Sequence, residues 1–106
     1  MTELSRREEQ VMLAIWDLKE QAYLLAIREH LIRITGHDWS VGIIHKPLMQ
    51  LERKRCVTSF MGDATARRGG RRKKIYRVSK TGIDALRALK AEHDALWRNF
   101  LRMEMP

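Results

Sequence analysis

The chain has 106 residues, enough for one domain with a modest core, and 44% of them are hydrophobic, which favours a folded chain over a disordered tail. Its 21 Lys+Arg exceed its 13 Asp+Glu and give a net charge of +8. This charge favours nucleic acid as the partner ahead of an anionic membrane surface.

The apolar runs and the cysteine content of the sequence indicate the cellular compartment. No run approaches the roughly 20 apolar residues of a membrane span, and residues 1–6 lack the apolar region of a signal peptide. The single cysteine, Cys56, excludes an internal disulfide and fits a reducing compartment. We therefore expect a cytoplasmic protein without a membrane partner.

The first helix is predicted to begin at about residue 6, because Ser5-Arg6-Arg7-Glu8 has the form of a capping box. The apolar residues that follow recur at helical spacing and form a wide stripe. They are Val11, Met12, Ala14, Ile15, Trp16 and Leu18. Such a stripe fits a core helix or one that also buries surface on a second subunit, and both interpretations stay open.

Two further helices are predicted before residue 56. The second ends at Gly36, and its apolar stripe consists of Leu24, Ile27, Leu31 and Ile34. The third is capped by Ser40 and buries Val41, Ile44, Leu48 and Leu51. Pro47 lies inside the third helix and lacks a backbone donor, so we expect a kink or a late regular start there.

After Arg55 the hydrophobic period changes from helical to alternating. This pattern predicts strands over residues 56–61 and 74–78, joined by a loop of residues 62–73. Ser79 then caps a long last helix. Its stripe runs through Gly82, Leu86, Leu89, His93, Leu96, Phe100 and Met103.

Three helices, a hairpin and a long last helix predict a mainly α fold with a small β-hairpin, namely a winged helix-turn-helix. In that fold the third helix enters the DNA major groove and the hairpin, the wing, lies beside it. We expect a DNA-binding domain over residues 1–79 and a C-terminal dimerisation helix over residues 80–106, together forming one structural unit.

A dense cationic cluster occupies residues 67–77, within which seven of eleven side chains are basic and none is acidic. Without those seven, the 21 Lys+Arg fall to 14, close to the 13 Asp+Glu. Like charges this close repel one another and favour an anionic partner. A solvated charged loop is the alternative. We expect Arg71, Arg72, Lys73 and Lys74 to contact phosphates or the minor groove, within a DNA-binding set that also includes Arg67, Arg68, Gly69, Gly70 and Arg77.

Residues 69–82 resemble the wing of PadR-type transcriptional regulators, with the pattern Gly-Gly-Arg-Arg-x-x-x-Tyr-x-(Leu/Val)-(Thr/Ser)-x-x-Gly. The third helix, with Ser40-x-Gly42 and a later Leu48-x-x-Leu51-Glu52, is similar to that family's recognition helix, and the likeness covers about residues 8–90. Two positions depart from the family. His45-Lys46 stands where the family usually has Tyr-Pro, and Arg55 stands where it tends to have Gly.

The resemblance implies a dimeric repressor of the short form, which dimerises through its last helix with help from the first. Some relatives bind flat aromatic compounds at the dimer interface. A similar pocket here would involve Trp16, His93 and Trp97, although aromatic residues at helical spacing also fit plain interface packing. We expect dimer contacts from Val11, Met12, Ile15, Trp16, Leu86, Leu89, His93, Leu96, Trp97, Phe100 and Met103.

Base and phosphate contacts in the major groove are expected from the exposed face of the third helix. That face carries Ser40, Gly42, His45, Lys46, Met49, Gln50 and Arg53. Gln can bond adenine and Arg can bond guanine, while Lys46 and Arg53 also suit phosphates.

The sequence offers little support for other classes of function. No catalytic constellation is visible, so we expect no enzyme, and the histidines have no metal-ligand spacing with Cys56. We expect no cofactor, and we interpret Cys56 as a core residue ahead of a redox switch. Double-stranded DNA is the expected partner, with an RNA or non-specific nucleic-acid module and a module that binds an acidic protein as alternatives.

Overall fold

The computed structural model describes residues 2–62 and 72–103. Its elements follow the predicted order of three helices, a hairpin and a long helix. They are α1 (Arg6–Leu18), one 3-10 turn (Lys19–Gln21), α2 (Leu24–Thr35), α3 (Val41–Arg53), β1 (Val57–Met61), β2 (Lys74–Val78) and α4 (Lys80–Leu101). The mainly α winged helix-turn-helix fold is therefore confirmed.

Serine caps fix the starts of three helices. The hydroxyls of Ser5, Ser40 and Ser79 each accept a hydrogen bond from the backbone N–H three residues later, at 3.1 Å. At Ser5 the capping box is complete, because the Ser5 N–H also donates to the Glu8 carboxylate at 2.7 Å. These local bonds satisfy otherwise unpaired N–H groups, so the predicted starts are confirmed.

The core is built from the inner faces of α1, α2 and α3. Its largest fully buried side chains from these helices are Met12, Ile15, Ile27, Ile44, Leu48 and Leu51. Two predicted core positions are wrong: Ile34 and Val41 are exposed. Both lie at a helix end, where the side chain projects beyond the packed elements.

Pro47 does not delay the start of α3. The helix continues from Val41 to Arg53 through Pro47, whose ring is buried. The predicted late start is therefore wrong. Burial of the ring against the core offsets part of the cost of the missing backbone donor.

The hairpin is antiparallel, with Val57 opposite Val78 and Met61 opposite Lys74. The Tyr76 N–H donates to the carbonyl of Ala22 at 2.8 Å, which attaches β2 to the segment between α1 and α2. The hairpin is thereby held against the helical core through the middle of β2. Residues 63–71, which contain most of the predicted wing loop, lie outside the described residues.

Only the first half of α4 packs on the core. Gly82 and Ala85 are buried, whereas Leu96, Phe100 and Leu101 are exposed. The approach is close at Gly82, where an added Cβ would lie 2.2 Å from the carbonyl oxygen of Cys56 and 2.8 Å from Val78. Glycine is required there because backbone cannot move aside as a flexible side chain can.

The Gly82→Ala substitution is expected to destabilise the protein by about 1–3 kcal/mol or more, because the added methyl group overlaps backbone. Gly42→Ala is the matched control, since a Cβ there meets only the Ser40 hydroxyl at 4.0 Å. That control is expected to be neutral or to stabilise α3 by up to about 1 kcal/mol. Urea unfolding of both variants checks the pair. Equal stabilities would contradict the close approach at Gly82.

The turn after α3 contains one of the departures from the PadR pattern, because Arg55 stands where the family tends to have Gly. Arg55 follows α3 with a φ of 61°. The Cys56 N–H donates to the Leu51 carbonyl and the Arg55 N–H to the Glu52 carbonyl, at 2.9 and 3.0 Å, which is the Schellman arrangement. Glycine suits this left-handed position best, and the chain adopts the same turn with arginine.

The Arg55→Gly substitution is expected to stabilise the protein by about 0.5–1 kcal/mol, because relief of left-handed strain exceeds the entropic cost of glycine. Thermal or urea unfolding measures the change. Arg87→Gly makes the same change at an exposed position inside α4, where φ is ordinary helical, and this control is expected to destabilise by about 1 kcal/mol. A lower stability in Arg55→Gly would contradict the interpretation.

Candidate nucleic-acid interface

The exposed face of α3 is cationic and has no acidic side chain directed along it. His45, Lys46, Met49 and Arg53 are exposed and Gln50 is half-buried, as the sequence predicts for residues that face DNA. The only acidic residue of α3 is Glu52. It accepts a hydrogen bond from the Ser59 hydroxyl at 3.1 Å and lies 3.6 Å from Lys74 Nζ, so it is directed to the hairpin.

Ser40 and Gly42 belong to the start of α3. The Ser40 hydroxyl is used by the cap, accepting from the Ile43 N–H. Gly42 is exposed, and its surroundings are open. Both therefore lie beside the cationic face, where they border it without adding charge.

Of the predicted wing residues, Arg67, Arg68, Gly69, Gly70 and Arg71 lie outside the described residues. The described ones are Arg72, Lys73, Lys74 and Arg77, and all four are exposed.

The described wing cations differ in their contacts. Arg72 Nε donates to the Gly62 carbonyl at 3.1 Å, and Lys73 Nζ lies 3.9 Å from the centroid of the Tyr23 ring. Lys74 and Arg77 are each 3.6 Å from a carboxylate, of Glu52 and Glu20. Lys74 and Arg77 therefore help to hold the hairpin on the helices, and Arg72 and Lys73 carry charge without an acidic partner in the described part of the chain.

Arg6 and Arg7 are functional candidates that the sequence-based prediction missed. They line an open cleft of about 770 Å³ together with the two cap residues Ser5 and Ser40 and with residues of α3, namely Gly42, Ile43, Lys46, Pro47 and Gln50. In the sequence the two arginines stand out only as the middle of a capping box. A usable signal was present, because the first turn of a helix favours acidic side chains and disfavours cations.

An ion pair between a buried carboxylate and an exposed lysine joins α1 to the end of α3. Glu8 is almost fully buried, and its carboxylate accepts from Lys54 Nζ at 2.7 Å as well as from the Ser5 N–H. Lys54 also donates to the Glu3 carbonyl at 2.8 Å. Each buried polar atom thus has a partner, and the pair fixes the position of α3 relative to α1.

Cys56 is fully buried between Arg55 and β1, in agreement with a core role. Burial raises the pKa of its thiol, against the opposing effect of Lys54, and the Glu8 carboxylate raises it further. A protonated, inaccessible thiol is a poor nucleophile. The redox alternative therefore gains no support from its surroundings.

The predicted dimer residues divide into two groups. Val11, Met12 and Ile15 are buried in the core of a single chain, so the prediction that they contact a second copy is wrong. An apolar stripe has the same sequence pattern whether it faces a core or a partner, which explains the error. Leu86, Leu89 and His93 are half-buried, and His93 Nδ1 lies 3.8 Å from the Glu9 carboxylate.

The remaining predicted dimer residues are exposed. Trp16 of α1 is 53% exposed, and the values for Leu96, Trp97, Phe100 and Met103 range from 53% to 71%. Trp97 and Phe100 pack edge to face with centroids 5.2 Å apart. The end of α4 therefore presents a contiguous apolar surface.

The predicted ligand residues do not meet in one chain. Trp16 lines a hollow of about 300 Å³ with Ile15, Lys19, Glu20 and residues 76–78 of β2, and neither His93 nor Trp97 contributes to it. His93 contacts Glu9, nearer the other end of α1. A pocket containing all three residues would need a second copy of the chain.

Two classes of feature are missing from residues 2–62 and 72–103. None of their helices has the length and apolar character needed to cross a membrane. No group of three or more His, Cys, Asp and Glu side chains within these ranges is arranged to hold a metal ion.

Solved structures share this fold. A PadR-like transcription factor from Bacteroides fragilis matches with a TM-score of 0.73 and 21% identity over 92% of this chain and 88% of its own. A PadR family transcriptional regulator from Eggerthella lenta matches with a TM-score of 0.70 and 23% identity over 92% and 83%. The fold is the PadR-like winged helix.

A solved structure with lower sequence identity also matches. The MepR protein of S. aureus, solved as a complex with DNA, has a TM-score of 0.62 and 11% identity over 96% of this chain and 66% of its own. No protein-family model matches the chain, and no curated protein matches it significantly in sequence. These identities establish the fold, and the function depends on what the surface of the PadR-like domain can bind.

Proposed function

We propose that this protein is a PadR-type transcriptional repressor that binds double-stranded DNA sequence-specifically as a homodimer on a pseudo-palindromic operator. Recognition of bases is assigned to α3, and much of the affinity to the wing and other cations through release of counterions from DNA. Operator occupancy would block transcription, and a small aromatic effector at the dimer interface would relieve it.

The observation that carries the proposal is the cationic face of α3. Lys46 and Arg53 have no carboxylate within 4 Å among the described residues, because Glu52 is directed to Ser59 and Lys74. Gln50 and Arg53 provide groups that bond bases in the major groove. His45 and Lys46 replace the family's Tyr-Pro, so the bases read here are expected to differ from those of relatives with that tyrosine.

The exposed end of α4 supports the homodimer. An apolar surface formed by Leu96, Trp97, Phe100 and Leu101 is unfavourable in water and typical of an interaction site. The helix has 22 residues and is therefore about 33 Å long at about 1.5 Å per residue, but its buried residues lie only in its first half. A second copy that covered this surface would set the distance between the two α3 helices.

The effector proposal depends on the same interface. Trp16 and Trp97 are both half-exposed and offer flat apolar surfaces, but they line no common cavity in one chain. A second copy would therefore have to complete the site. A bound aromatic molecule would act by changing the spacing of the two α3 helices.

Lys46→Ala with Arg53→Ala is expected to weaken binding to promoter duplexes about tenfold at ~0.1 M salt for each phosphate that loses its cation. The salt slope, which is the slope of log affinity against log salt concentration, is expected to decrease in magnitude by about one per phosphate. Binding of fluorescent duplexes across a salt series measures both quantities. Arg87→Ala with Lys90→Ala removes the same charge from the exposed face of α4 and is the matched control, with little expected effect.

Several results of that series would contradict the proposed DNA function. Affinity independent of salt would remove the electrostatic mechanism. Competition by structured RNA in preference to duplex DNA would favour the RNA module, and no retardation of DNA at moderate salt would favour a domain that binds an acidic protein.

Leu96→Ser with Phe100→Ser is expected to convert the dimer to a folded monomer, because both side chains are exposed in the single chain and contribute little to its core. Leu25→Ser with Ile34→Ser removes equally exposed apolar groups from α2 and is expected to leave the dimer intact. Sedimentation velocity distinguishes the states. A monomeric wild-type protein throughout the micromolar range would contradict the dimer.

A further inference from the structure

We propose that the cleft between the first turn of α1 and α3 binds a phosphate of the DNA backbone, with Arg6 and Arg7 as its principal ligands. This inference deepens the proposed DNA-binding function and rests on it. It adds a second cationic contact beside α3, whose two principal ligands belong neither to the recognition helix nor to the wing.

The charges of the cleft match a phosphate. Three of its lining residues, Arg6, Arg7 and Lys46, are cationic, and none is acidic. No described carboxylate lies within ion-pair distance of any of the three. Of the neighbouring acidic groups, Glu8 pairs with Lys54 and Glu9 faces His93. Asp38 lines an adjoining hollow with Arg6 and Arg7 but lies beyond ion-pair distance of both.

The Arg7 side chain, on one side of the cleft, lies against a buried tryptophan. The Arg7 guanidinium lies 5.6 Å from the centroid of the buried Trp39 ring. Trp39 is held in turn, because its Nε1 donates to the Thr35 hydroxyl at 3.0 Å and its carbonyl accepts from Arg28 Nε at 2.6 Å. The support reduces the entropy that Arg7 would lose on binding an anion.

Gly42 lines the cleft, and no contact within the fold requires a glycine at this position. A Cβ at this position would meet nothing nearer than the Ser40 hydroxyl at 4.0 Å, and its φ is not positive. Glycine inside a helix costs up to about 1 kcal/mol relative to alanine. A glycine with open space above it is explained if another molecule approaches the backbone there.

The positions of Arg6 and Arg7 also cost stability in the isolated protein. Both belong to the first turn of α1, where the helix macrodipole favours acidic side chains and opposes cations. A bound phosphate would remove that repulsion. The cleft is shared with Lys46, so the phosphate it holds would belong to the same duplex that α3 contacts, and not to a free anion.

Arg6→Gln with Arg7→Gln tests the site in the full-length protein. The double variant is expected to reduce the salt slope of duplex binding by about one to two and the affinity by about tenfold per phosphate at ~0.1 M salt. Arg87→Gln with Lys90→Gln removes two charges from α4 and is the charge-matched control, with a much smaller change expected because neither residue lines the cleft. Circular dichroism melting verifies that each variant is folded.

Ethylation interference on a retained duplex locates the contact. Ethylation of the phosphates that contact the cleft is expected to weaken binding of the wild-type protein but not of the Arg6→Gln/Arg7→Gln variant. Ethylation at the other contacted phosphates is expected to weaken binding of both proteins. An unchanged slope and an unchanged pattern, with wild-type binding intact, would overturn this inference and leave the DNA function standing. Absence of duplex binding by the wild type would overturn both.

A second pair of measurements separates a DNA phosphate from a free anion and from a purely structural role. Gly42→Ala is expected to weaken duplex binding while leaving the melting temperature unchanged or higher, since the methyl group narrows the cleft without touching the core. Inorganic phosphate is expected to compete only weakly at constant ionic strength. Unchanged duplex affinity in Gly42→Ala would contradict the proposal. So would strong competition by inorganic phosphate with the wild type, if the Arg6→Gln/Arg7→Gln variant lost that competition but still bound duplex normally.

Discussion

The buried carboxylate of Glu8 is the contact on which the position of α3 depends. It accepts from the Ser5 N–H within α1 and from Lys54 Nζ at the end of α3, so one group caps the first helix and anchors the third. Removal of Lys54 alone would leave a buried charge without its partner, which is strongly unfavourable. The cationic face of α3 and the cleft beside it are oriented by this pair, while Gly82 provides the other fixed point by letting α4 approach Cys56.

The proposed functions divide among four regions of the surface. The face of α3 carries groups able to read bases, the wing and the cleft beside α1 add cations, and the end of α4 adds an apolar surface. Lys74 and Arg77 belong to the charge cluster in sequence, but their contacts with Glu52 and Glu20 make them supports of the hairpin. Net charge alone therefore overstates the number of cations available to an anionic partner.

Much of the fold could be predicted because its signals are local. Each serine cap uses an N–H only three residues away, and the change from helical to alternating period marks the hairpin. Whether a stripe faces a core or a partner is decided by distant residues, so the dimer contacts predicted for Val11 and Met12 are wrong. The unfavourable position of Arg6 and Arg7 in the first turn of α1 was a usable signal, but the cleft itself had none, because it exists only where α1 crosses α3.

A symmetric dimer that reads a duplex sequence through α3 would select its own operator from a mixture. Enrichment of random duplexes on the purified protein, followed by sequencing, tests this most directly. The expected product is a pseudo-palindrome whose half-sites are centred about one helical turn apart, about 34–36 Å, or a multiple of it. Recovery of no preferred sequence, or of a single asymmetric site bound by one copy of the chain, would contradict the proposed dimeric reader.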